Sequence, residues 1–149
     1  MKKSHSLSKI VSKKNEAAWP SSVKVWLERV DYDLETARAM YKAGRYLYVV
    51  FMCQQAIEKN IKAILALQGK EIKPIHNLSK LAEDADVLHE LDKEAHIFID
   101  MLSHYYLNAR YKETIATLSQ TIGRNEAKDY LEKTKRLILW LTQKMKPSK

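Results

Sequence analysis

Glycine, proline and cysteine are scarce in this 149-residue chain, which holds three, three and one of them. Three scattered glycines cannot build a glycine-rich phosphate loop. The lone cysteine, Cys53, excludes an intramolecular disulfide, which fits a reducing compartment and an expected cytoplasmic location. Long apolar runs are also missing. Leu47–Cys53 is seven residues long, against about 20 for a membrane span, so a soluble protein without a membrane partner is expected. No apolar stretch follows the basic N-terminus before Trp19, so no secretory signal is expected. Strand-like alternation is sustained nowhere. The length suits one domain that buries roughly two-thirds of its unfolded surface and folds without disulfide or metal.

The formal net charge of +8 is unevenly placed. Residues 1–19 carry five lysines against one acid, and residues 124–149 carry eight basic groups against three acidic ones. The stretch between has thirteen basic and fourteen acidic groups, so the basic character belongs to the two ends. Such ends can hold a polyanion or serve only as solubilising tails. Residues 1–19 lack a sustained period and read as a basic flexible tail. Residues 20–149 form the folded domain.

What is abundant is helical periodicity. Leu47–Leu67 is apolar on most of its circumference, with Val50, Cys53, Ile57, Ile61 and Ile64 on one stripe and Val49, Met52, Ala56, Ala63 and Leu67 beside it. A helix of that kind must be surrounded, so it is the expected centre of a bundle. Its remaining edge is polar: Gln54, Gln55, Glu58, Lys59 and Lys62. A first helix starts after Pro20 with Trp26, Val30, Ala37 and Tyr41 on one face, and Gly44 turns it antiparallel to the second. After Gly69, Lys70–Asn77 is a loop closed by Asn77 as N-cap of a short third helix with Leu78, Leu81, Ala82 and Ala85 on one side. A break near Asp86 precedes a fourth, with Leu91, Ala95, Phe98, Leu102, Tyr105 and Ala109 as its seam. Residues 110–122 suggest a short frayed helix, and Ala127 to Met145 a strong last one. The expectation is an all-α, up-and-down bundle of about five helices, with Trp26, Phe51, Ile57, Phe98 and Leu137 in its core.

Several chemistries are absent. No histidine has a Glu three residues before it, as a di-iron bundle requires. Asp31 and Asp33 lie within an amphipathic helix and read as solvated surface acids. His96, Asp100 and His104 share one helix face, but i to i+8 spans about 12 Å, too far for one ion. No metal and no cofactor are expected.

Three features could carry chemistry: the polar edge of the central helix, His76 in its loop, and Asn108-Ala109-Arg110-Tyr111 at the end of the fourth helix. Lys59, Lys62 and Arg110 can hold phosphate, Arg by a bidentate fork and Lys as a point charge. Gln54, Gln55 and Asn108 can read a base or ribose edge, and Tyr106 or Tyr111 can stack on a base. The plainer alternatives stay open. Glu58, Lys59 and Lys62 could be a solvated edge with i, i+4 pairing, His76 a loop-closing hydrogen bond, and Arg110 a cation on terminal carbonyls.

These residues also carry a family resemblance. Trp26 with Asp33-Leu34 and Ala37, then Cys53-Gln54-Gln55-Ala56-x-Glu58-Lys59-x-x-Lys62-Ala63, His76-Asn77-Leu78-x-x-Leu81 and Asn108-Ala109-Arg110-Tyr111 resemble the HEPN domain (higher eukaryotes and prokaryotes nucleotide-binding) over roughly residues 22–145. The resemblance implies a helical bundle that dimerises around a cleft, often beside a minimal nucleotidyltransferase in a toxin–antitoxin-like pair. It implies a nucleotide- or RNA-binding site at Gln55, Glu58, Lys59, Lys62, His76, Asn108, Arg110 and Tyr111. Many family members are metal-independent ribonucleases that use Arg-x(4–6)-His, with Arg on the scissile phosphate and His as acid or base. Here the positions where that histidine falls after Arg110 are Ile115, Ala116 and Thr117. The expectation therefore leans away from an enzyme and toward a binding subunit of a homodimer. An endoribonuclease toxin working through Arg110 and a purely structural dimerisation module are the alternatives.

Overall fold

A computed structural model describes residues 19–111 and 115–145, with the side chains of 108–111 and 115 outside the description. Six α-helices account for most of these residues, and among them there is no strand. They are α1 (Ser21–Lys42), α2 (Tyr46–Leu67), α3 (Leu78–Asp84), α4 (Lys93–Tyr111), α5 (Ile115–Ser119) and α6 (Arg124–Gln143), with a single 3-10 turn at Leu88–Glu90 before α4. The all-α bundle expected from periodicity is what forms. Nothing among the described helices is long and apolar enough to cross a membrane.

The same device ends the first two helices. Gly44 and Gly69 adopt φ of 75° and 69°, the left-handed region that costs a residue without Cβ little. The next amide then reaches back into the last turn, Arg45 N–H to Met40 O at 2.8 Å and Lys70 N–H to Leu65 O at 3.0 Å. A reversal of three residues folds α1 and α2 into an antiparallel hairpin. Asn77 caps α3 as expected, its side chain accepting from Lys80 N–H at 2.9 Å, and Asp92 Oδ1 starts α4 by accepting from Ala95 N–H at 2.8 Å.

Helix α2 packs against α1, α3, α4, α5 and α6, so it is the axis of the bundle. Its apolar side meets the stripe Val23, Leu27, Val30, Leu34 and Ala37 of α1 and the Leu131, Ile138 and Leu141 side of α6, all buried. Cys53 is fully buried here, and desolvation pushes its thiol up to about 12.

Four expectations are corrected. Trp26 and Phe51 are only partly buried, because the true inner stripe of α1 runs through Val23 and Leu27 and leaves Trp26 at its edge. Trp19, assigned to the tail, is buried in the core; residues 1–18 lie outside the described residues. Leu91 precedes α4 rather than belonging to it, and Ile99 joins Phe98 and Leu102 on the buried side. Residues 110 and 111 continue α4, so the short helix begins only at Ile115.

Candidate functional site

The polar edge of α2 is not a solvated edge. Gln54, Glu58 and Lys62, spaced four apart on one side of the helix, are 0%, 4% and 6% exposed. A carboxylate and an ammonium taken out of water are costly unless every hydrogen-bonding position finds a partner. Glu58 meets that demand. Its Oε2 accepts from Lys62 Nζ at 2.8 Å, and its Oε1 from Gln54 Nε2 at 3.2 Å and His76 Nδ1 at 3.0 Å.

The partners come from three elements. Gln54 and Lys62 are one turn before and after Glu58. His76 is supplied by the loop after α2, whose main chain is tied down by Gln54 Nε2 donating to His76 O at 3.0 Å. That one amide group therefore holds both the acid and the backbone of its imidazole partner. Against the His76 ring lies Tyr106 of α4, centroids 5.2 Å apart, and the Tyr106 hydroxyl accepts from Gln55 Nε2 at 3.1 Å. On the far side, Lys62 Nζ lies 5.8 Å from the Trp26 ring centroid and Arg29 lies 5.2 Å from it, a cation–π arrangement that keeps Lys62 in place without a second acid.

Because a carboxylate can only accept, the hydrogen between Glu58 and His76 sits on Nδ1. That fixes the tautomer and leaves Nε2 as the acceptor. The His76 side chain is 41% exposed, and Nε2 has no hydrogen-bond partner among the described residues. The result is a buried acid bonded to a partly exposed histidine.

A second ion pair extends the site along α1. Lys59 Nζ meets Asp33 Oδ2 at 2.7 Å. Asp33 is buried, which corrects its reading as a solvated surface acid: the partner that buries it comes from the neighbouring helix. The structure thus brings together Gln55, Glu58, Lys62 and His76 through Gln54 and Tyr106, while Lys59 is paired with Asp33 of α1. The side chains of Asn108, Arg110 and Tyr111 lie outside the description, although α4 places position 110 one turn beyond Tyr106. Tyr106 is buried between His76, Phe51 and Gln55, so its ring supports the site and does not offer a free stacking face.

Trp26 and Asp33 are part of this arrangement without having been assigned to it by sequence, and Gln54, expected to read a base or ribose edge, is instead buried with its amide spent on Glu58 and His76. The available signal was the spacing of Gln54, Glu58 and Lys62 together with an acid on α1. The His96–Asp100–His104 face is committed elsewhere: His96 Nε2 lies 3.0 Å from Leu88 O, and Asp100 accepts from Ser79 Oγ at 2.6 Å. No group of three potential ligands gathers for a metal among the described residues.

Known proteins share this arrangement of helices. The family model described as the HEPN domain matches residues 23–145. A Methanocaldococcus jannaschii protein named "Putative toxin MJ1304" is 39% identical over 46 residues, 31% of this chain and 30% of that protein. The chain thus spans under a third of that relative's length. Of solved structures, ST0689, an archaeal HEPN homologue, aligns with a TM-score of 0.64 at 26% identity, covering 83% of this chain and 98% of its own. TT1696 from Thermus thermophilus aligns with a TM-score of 0.66 at 23% identity, covering 82% and 96%. At that identity the second likeness is one of fold.

Proposed function

This chain belongs to the HEPN domain family, and from that premise we propose that it is a dimeric nucleotide- or RNA-binding subunit, working beside a minimal nucleotidyltransferase in a toxin–antitoxin-like pair. The observation that carries this reading is the Glu58 network. A bundle that needs only to pack gains little from burying an acid and a lysine, yet here both are buried and their arrangement delivers His76 to the surface. Lys59, the next residue along α2, is a cation that a ribose-phosphate would meet, and Asn108, Arg110 and Tyr111 are assigned to the same site by the family resemblance alone. The relative named "Putative toxin MJ1304", matched over 46 residues, supports the toxin-like half of the reading.

The homodimer draws support from α4. Ile97 and Met101, one turn apart, are 51% and 43% exposed and flank an open depression with His104, Tyr105 and Leu118. Exposed apolar side chains grouped in this way suit a second copy of the chain. Substituting Met101 with Lys is expected to yield a monomer in sedimentation experiments while leaving the helical content unchanged.

The test of function is binding. Labelled single-stranded RNA and a nucleoside triphosphate are titrated against the wild type and Arg110→Ala, alongside copurification with a coexpressed nucleotidyltransferase. Binding that weakens about tenfold or more in the variant, at unchanged stability and with the salt dependence of phosphate contacts, is expected. Absence of both binding and copurification overturns the proposal.

A further inference from the structure

Helices α4 and α6 hardly touch along their backbones. The stacked rings of Phe98 and Tyr130, centroids 5.7 Å apart, span the gap between them. Between the first half of α4 and the second half of α6 this leaves a cleft of about 280 Å³, which shares no residue with the Glu58 cluster. We propose that this cleft binds a free α-amino acid with a large apolar side chain. Its ammonium meets Glu94, its carboxylate meets Arg136, and its side chain lies over Phe98 and Trp140. The inference stands apart from the nucleotide reading, which concerns the other site.

Two observations and one exclusion carry it. The first observation is the floor, which is apolar and made by Ala95 and Phe98 of α4 with Leu137 and Trp140 of α6. Both rings have fixed neighbours: Tyr130 stacks on Phe98, and Lys144 Nζ lies 4.9 Å from the Trp140 ring centroid. Ligand pockets usually measure about 300–1,000 Å³, so this one suits an occupant as small as a single amino acid.

The second observation is the charge on the walls. Glu90, Asp92 and Glu94 line one side, Lys133 and Arg136 the other. Most of these groups are committed. Glu90 pairs with Lys144, Asp92 accepts from Ala95 N–H at 2.8 Å, and Lys133 meets Asp129 at 3.1 Å. Glu94 and Arg136 are what remains. They line the cleft from opposite helices, yet neither has an ion-pair or hydrogen-bond partner among the described residues. An acid and a base that border one cleft without meeting leave room between them for a ligand that carries both charges.

The exclusion follows from the same walls. A phosphate at Arg136 would share the cleft with three carboxylates, and like charges brought together are disfavoured. A carboxylic acid without an amine leaves Glu94 unanswered, and an amine without a carboxylate leaves Arg136 unanswered. The Arg136 fork suits a carboxylate, and an ammonium brings only donors, which suit the acceptor-only Glu94. A zwitterion with an apolar side chain answers both walls and the floor.

The experiment follows the Trp140 indole N–H signal of the full-length chain by NMR, identified by its loss in Trp140→Phe. The probes are L-phenylalanine, 3-phenylpropionate, which lacks the ammonium, and phenethylamine, which lacks the carboxylate. L-phenylalanine is expected to move the Trp140 signal to saturation while those of Trp19 and Trp26 stay in place. It should bind about tenfold or more tightly than either analogue. Arg136→Gln should weaken L-phenylalanine by about tenfold or more and leave phenethylamine unchanged. Glu94→Gln should weaken it likewise and leave 3-phenylpropionate no weaker. Both side chains are exposed, and an unshifted Trp19 signal checks that each variant folds. A Trp140 signal that L-phenylalanine does not move overturns the inference, and so does an analogue that binds as tightly. If AMP moves that signal and L-phenylalanine does not, the cleft belongs to the nucleotide reading and the inference is wrong.

Discussion

The two sides of α2 differ in what they bury. One carries Val50, Cys53, Ile57, Ile61 and Ile64, an apolar stripe packed within the bundle. The other carries Gln54, Glu58 and Lys62, just as far from water but charged, and closed by His76 from the loop and Trp26 from α1. The apolar side is tolerant chemistry: any side chains of the right volume hold it together. The polar side is exacting, because each group there depends on a named partner at a particular distance. The difference shows where this bundle spends stability on something other than packing.

That comparison can be broken at several points. The largest effect is expected from Glu58→Ala, which leaves the Lys62 ammonium buried without its acid and should cost about 3–5 kcal/mol in denaturant unfolding. Replacing Glu58 and Lys62 together with Leu and Met should recover most of that loss. A cost under about 1 kcal/mol for the single variant would mean that the charged side is in effect solvated, and the contrast would vanish. On the apolar side, Ile57→Ala should cost about 2–5 kcal/mol, with no partner substitution able to restore it.

An intermediate effect is set by pH. The Cys53 thiol, at 9.0 ordinarily, is raised to about 12 by burial. The unfolded chain therefore ionises first as pH rises, and stability should fall from about pH 9 towards 12, by up to about 1.4 kcal/mol per unit. Tyr130, raised from 10.0 to about 12 chiefly by desolvation, acts in the same direction. Cys53→Ala should flatten the early part of that decline, and the native thiol should resist disulfide reagents at pH 8. The smallest effects belong where the polar side meets water. His76→Ala, at a side chain 41% exposed but bonded to the buried Glu58, should cost about 1–2 kcal/mol, so a loss as large as that of Glu58→Ala would make it a structural residue.

Much of the bundle was legible in the sequence because its signals are local. Gly44, Gly69 and Asn77 end or start helices by their own conformational preferences, and the apolar stripe of α2 is written at helical spacing. Trp26 and Phe51 were misplaced because one residue is a 100° step: Leu27 on α1 and Val50 on α2 turn inward, and the aromatic residue beside each ends at the edge. The site was legible only in composition. Glu58 and Lys62 at i, i+4 look the same whether solvated or buried, and what buries them, His76 eighteen residues on and Trp26 on another helix, is fixed by tertiary packing. Asp33 has the same history, since only the fold brings Lys59 to it.

The most direct test of the account is to follow the ring nitrogens of the histidines by NMR while single-stranded RNA is added. The account predicts a His76 ring protonated on Nδ1 in the free protein, with an Nε2 signal that moves to saturation as RNA binds while those of His89 and His104 stay in place. RNA binding that leaves the His76 nitrogens unmoved would contradict it, and would place the functional surface of this bundle elsewhere.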